Sequence, residues 1–136
     1  MVTIVSEYQD GFTGANTRIA CGPLYSKRIL SMIDIARIAV VTRQCRRDVA
    51  SLGKDEKALK EAVKTAVKSG RCLCSEWCQL SAAGAWAACD AHGYTERAWV
   101  EAAWKEMDCD FYIKFCVGKT GSVILTLSHH PHRQRH

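Results

Sequence analysis

Proline and glycine are scarce, two and nine in 136 residues. That excludes a collagen-like or low-complexity chain. With 48% hydrophobic and 24% charged residues, intrinsic disorder is excluded as well. Long apolar runs are missing: Ile35–Val41 is seven residues with Arg37 inside it, whereas a membrane-spanning helix needs about 20 apolar residues. The single asparagine, Asn16, precedes Thr17 and Arg18 and makes no glycosylation sequon. Catalytic signatures are also missing. Gly118-Lys119-Thr120 superficially matches a phosphate-binding loop, but the glycine required five residues earlier is Ile113. His92 is the only histidine outside the C-terminal run, and nothing in the sequence sets it beside a cysteine as its base. No catalytic residue and no cofactor is expected, and so no enzyme.

Cysteine, in contrast, is abundant: Cys21, Cys45, Cys72, Cys74, Cys78, Cys89, Cys109 and Cys116. An even count admits two chemistries. In an oxidising compartment the thiols pair, each bridge typically contributing a few kcal/mol by restricting the unfolded chain. In a reducing one they stay free or hold zinc, for which Cys74, Cys78, Cys89 and His92 have the nearest ligand spacing. The number of cysteines favours bridges, with all eight as candidates and no metal. Cys72 and Cys74, on one strand face, are then expected to tie a sheet to helices bearing Cys89 and Cys45. Met1–Tyr8 lacks the basic and apolar regions of a secretory leader. The expectation is a secreted protein in its mature form, with an intracellular one as the alternative.

The 19 basic and 14 acidic side chains leave a formal charge of +5, a mild excess that permits nucleic acid as a partner without favouring it. Arg43, Arg46 and Arg47 form the one basic cluster in the body of the chain. The dibasic pairs Lys27-Arg28 and Arg46-Arg47 fall in an expected helix and read as surface charge.

Hydrophobic periodicity divides the chain into a strand (Val2–Tyr8), a loop, and a long helix (Leu24–Val49). A second helix follows (Asp55–Ser69), closed at Gly70 by a left-handed residue. Next come a strand (Arg71–Leu80), an Ala-rich helix (Ser81–Ala91) and a helix from Thr95 to Met107 with Trp99 inward. Trp104 is expected partly buried on that helix. Two alternating runs joined by Gly118–Gly121 make a hairpin, Phe111–Val117 and Ser122–Ser128. The order predicts an α+β domain over residues 1–128, an antiparallel sheet of about four strands packed on helices and stapled by disulfides. A His/Arg-rich tail, residues 129–136, is expected to be disordered.

Three segments, Cys72-Leu-Cys74, Ala85-Trp-Ala-Ala-Cys89 and Phe111-Tyr-Ile-Lys-Phe-Cys116, resemble the killer-toxin-like secreted proteins of fungi, best known from the virus-encoded toxins of smut fungi. The resemblance covers residues 72–127. It implies an α/β sandwich, a helix over the second segment, and a non-enzymatic toxin or effector that binds a protein or surface component of a target cell. The alternative is an intracellular cysteine-rich accessory protein, for example viral, that binds zinc or nucleic acid.

Overall fold

The structure is a computed structural model and describes residues 2–131. Six strands and three helices follow in the order β1 (Arg18–Ile19), α1 (Ser26–Met32), β2 (Arg37–Val40), α2 (Arg43–Leu52), α3 (Glu56–Lys68), β3 (Arg71–Gln79), β4 (Trp86–Val100), β5 (Lys105–Val117) and β6 (Val123–Pro131). The strands form one sheet, β1-β3-β4-β5-β6-β2. Every pairing is antiparallel except β2 with β6, which is parallel. The fold is α+β as expected, but the sheet is mixed and has six strands rather than about four antiparallel ones. Both edge strands are short, two residues in β1 and four in β2, and cover only part of the nine-residue strands β3 and β6.

The expected long helix over Leu24–Val49 is broken in the middle. Ile38-Ala-Val-Val41 is rich in β-branched residues, which favour a pleated surface over a helix, and β2 takes this run against Ile124–Thr126 of β6. Thr42 then caps α2 by accepting from the Cys45 N–H at 3.1 Å, and Gly53 closes it at φ 66°. Helix α3 matches its expectation, with Asp55 accepting from the Ala58 N–H at 2.9 Å. Gly70 serves a different purpose from the one expected. Its φ is not left-handed; a side chain there would strike the Gly93 carbonyl and the last turn of α3.

The Ala-rich segment is a central strand, not a helix. Ala87, Ala88, Cys89 and Ala91 are fully buried, because other parts of the chain approach β4 closely. The Tyr25 hydroxyl donates to the Ala88 carbonyl at 2.6 Å, and Asp90 accepts from the Leu24 and Tyr25 N–H groups and the Ser75 hydroxyl. Small side chains make that approach possible, and the packing overrides alanine's helix propensity. The helices cover one face of the sheet, where Ile29, Ile33 and Val63 meet Ile113, Phe115 and Ile124. Each such side chain contributes roughly 1.5–3 kcal/mol on burial.

Residues 2–8 form no full strand. The β4–β5 ladder stops at Asp90↔Phe115, and beyond that point residues 3–7 bridge the two strands. Val5 donates to the Trp86 carbonyl, Glu7 to the Val117 carbonyl, and Lys119 donates back to Val5. The buried Ser6 hydroxyl accepts from Ala88 and donates to Tyr8.

Candidate partner-binding hairpin

Strands β4 and β5 outlast their neighbours. The last β3 pair is Arg71↔Gly93 and the last β6 pair is Phe111↔Pro131, yet β4 and β5 remain paired from Thr95↔Asp110 out to Val100↔Lys105. Six residues per strand at about 3.3 Å each carry this ribbon roughly 20 Å past the sheet. The sequence was expected to form a helix here, with Trp99 inward. Alternation explains the ribbon: Ala98, Val100, Met107 and Cys109 are half-buried while Thr95, Arg97 and Trp99 are exposed.

The base of the ribbon is anchored. Lys54, in the turn between α2 and α3, donates to both carboxylate oxygens of Glu96 at 2.9 and 2.8 Å and lies 5.9 Å from the Phe111 ring centroid. Tyr94 stacks on Phe111 and shares a short hydrogen bond with His129 Nε2. His129 was expected in a disordered tail, but β6 continues through Pro131 and buries it completely. Burial, with Lys54 and His130 nearby, pushes its pKa down to about 4. The imidazole is therefore neutral at pH 7. Residues 132–136 of the expected tail lie outside the described residues.

The tip is apolar and exposed. A short 3-10 turn, Glu101–Ala103, leads into Trp104 at φ 51°. Among the described residues this is the one non-glycine in the left-handed region, which costs a bulky side chain roughly 1–2 kcal/mol. Trp99 and Trp104 keep 57% and 75% of their surface exposed. They meet edge to face, with centroids 6.1 Å apart. Both were expected to be at least partly buried in a helix, and the turn chemistry at residues 101–104 gave no glycine or asparagine to signal a hairpin.

The cysteines do not form bridges: all eight are free. A bulge between Cys72 and Cys74 sets Cys72 opposite His92 and Cys74 opposite Ala91, so they do not share a face. Cys89 is in a strand, within hydrogen-bonding reach of Cys78 and Cys116 on the two flanking strands. Burial and the hydrogen bond to Cys116 hold its thiol protonated far above the usual range. The Cys89 hydrogen bond and burial raise Cys78 likewise. Lys114 and Glu76 pair beside this row at 2.9 Å. Cys45 lies against Val49 and Leu59, its thiol pushed up to about 12 by burial. Cys109 is on the ribbon, and Cys21 meets the Tyr8 hydroxyl at 3.3 Å. The expected ties from Cys72 and Cys74 to helices bearing Cys89 and Cys45 are not made: Cys89 belongs to the sheet itself, and Cys45 is packed in α2.

The alternative zinc set fails for a related reason. Cys89 and His92 are grouped in the sequence by their ligand spacing alone. In a strand, positions three apart point to opposite faces, and His92 stacks on Phe115 in the helix-covered core. Among the described residues no three His, Cys, Asp or Glu side chains converge as a metal site. No described helix is long and apolar enough to cross a membrane. Arg43, Arg46 and Arg47 do share the exposed side of α2. Comparison with known protein families, with curated proteins and with solved structures finds no match.

Proposed function

We propose that this chain is a non-enzymatic binding protein that engages a macromolecular partner through the tip of the β4–β5 hairpin. One observation carries the reading: two exposed indoles at the end of an anchored ribbon, one of them on a backbone that glycine would adopt at less cost. Tryptophan supplies large contact area with little conformational entropy to lose and is enriched among residues that dominate binding energy. Non-glycine residues held in the left-handed region cluster at functional sites. The killer-toxin-like expectation also has the protein act by binding. It rests on oxidised cysteine and on a helix over residues 85–89, and here the thiols are free and Trp86–Cys89 belong to β4. Free thiols favour a reducing compartment over secretion. Photo-crosslinking tests the reading. A crosslinker at position 104 is expected to capture a macromolecule from the native source, one at position 57 on α3 is not, and Trp99→Ala is expected to abolish capture. Equal capture at both positions, or none at 104, overturns it.

A second reading, nucleic-acid binding, has the three exposed arginines of α2 in its favour. It predicts affinity for single-stranded RNA that falls steeply with salt and is lost in the Arg43→Ala, Arg46→Ala, Arg47→Ala variant.

A further inference from the structure

Charge is divided unevenly between the ribbon and the rest of the chain. Residues 95–110 hold five carboxylates (Glu96, Glu101, Glu106, Asp108, Asp110) and two basic groups (Arg97, Lys105). The ribbon is thus net −3 in a chain of +5, which leaves +8 on the remainder. An acidic arm with an apolar tip fits a basic surface that has exposed apolar side chains at its centre.

The chain itself carries such a surface. Among the described residues six large apolar side chains are exposed, and four of them lie in two short stretches of the sequence. Trp99 and Trp104 are in one. Leu30 and Ile35, exposed at 45% and 88%, are in the other, at the end of α1 and just past it. Lys27 lies one turn before Leu30 on the same side of α1, and Arg37 follows Ile35 by two positions. Lys64 of α3 pairs with Asp34 of the same segment at 3.0 Å and with Glu61 at 3.8 Å, so the positive charge of the patch comes from Lys27 and Arg37. The arm's missing features, aliphatic surface and positive charge, are together on one patch of the body.

We infer that the partner seated on the hairpin tip is a second copy of this chain, with the indoles of one copy on the Leu30–Ile35 patch of the other. The inference rests on the hairpin's being the binding element. Tip-to-tip pairing of two arms is disfavoured, because it brings together two ribbons of −3 each, and like charges in apposition oppose association. Arm on body sets a ribbon of net −3 against a remainder of net +8, so it is strongest at low ionic strength, where the screening length exceeds about 10 Å.

Sedimentation velocity of the full chain at low and high salt, across a wide concentration range, tests this. The expected result is reversible association that weakens at least tenfold with salt. Two variants are each expected to remain monomeric: Trp99→Ala with Trp104→Gly, which removes the tip, and Ile35→Glu, which spoils the patch. All three substituted side chains are exposed, and circular dichroism verifies the folds. Mixing the two variants restores one intact tip and one intact patch, so a dimer is expected from the mixture alone. A monomeric wild-type chain overturns the inference. So does an Ile35→Glu variant that associates like wild type, which would mean arm-to-arm contact. Capture of nucleic acid or another protein at position 104 by a chain that stays monomeric also overturns it, while leaving the binding role of the hairpin in place.

Discussion

Trp99 and Trp104 meet at 82° between ring planes across the mouth of the β4–β5 turn. The contact holds two large apolar groups in place at the end of a two-stranded ribbon, where neither is covered by the rest of the fold.

Trp104→Gly is expected to leave the domain at least as stable as wild type to within about 1 kcal/mol. It relieves the left-handed backbone, and glycine's greater freedom in the unfolded chain offsets part of that gain. Trp104→Ala removes the same indole and keeps the strain, so it is expected to be less stable than Trp104→Gly by about 1 kcal/mol. Thermal denaturation of both variants checks the order; alanine equal to or above glycine contradicts the strain.

Lys54→Met is expected to loosen the base of the ribbon. The pair with Glu96 is half-buried, with Lys54 the better covered, so its loss is expected to cost about 1–2 kcal/mol. A double-mutant cycle with Glu96→Gln in urea is expected to show coupling of similar size. Additive losses mean that the two side chains act independently.

Stability is expected to fall with acid in a window set by His129. Its folded pKa of about 4 lies below the ordinary 6.5, so between these values the unfolded chain binds a proton that the folded one does not. The stabilisation is complete above 6.5, declines as pH drops toward 4, and amounts to about 3 kcal/mol from this group. Burial lowers His92 in the same direction. Urea titrations at pH 7 and 4.5 are expected to show a smaller difference for His129→Leu than for wild type. An unchanged difference rules His129 out as the source.

Reductant is expected to leave intact mass and melting temperature unchanged. Exposed Cys21 is expected to alkylate first, and Cys45, Cys89 and Cys116, all buried, only on unfolding. A mass gain on reduction restores the disulfide reading.

Asp90→Ala is expected to cost about 3 kcal/mol, because it leaves two N–H groups of the α1 entry and the Ser75 hydroxyl without their acceptor in the core. Chemical denaturation measures it. A loss below about 1 kcal/mol indicates that other groups or water take over.

Legibility in the sequence followed the strength of local signals. Helix α3, strand β3 and the Gly118–Gly121 hairpin have clear periodicity and turn residues, and they were read nearly in place. The errors came where tertiary contact outweighed local preference. Ala85–Ala91 is a helix former by composition, and only the approach of residues 3–7 and α1 makes small side chains the right choice for a central strand. Residues 95–107 fit a helical stripe as well as a strand alternation, and the turn lacks the glycine that would have decided it. The β4–β5 ribbon is illegible in the sequence for that reason. Its indoles were read as core because a helix would have turned Trp99 inward.

The bridge that residues 3–7 make between β4 and β5 also constrains assembly of the domain. These residues leave the ribosome well before their hydrogen-bonding partners, Trp86, Val117 and Lys119, which lie more than half the chain away. This segment must wait unseated until most of the sheet exists, and contacts that span so much chain are slow to form. An incomplete translation product ending before residue 116 therefore cannot close that end of the sheet.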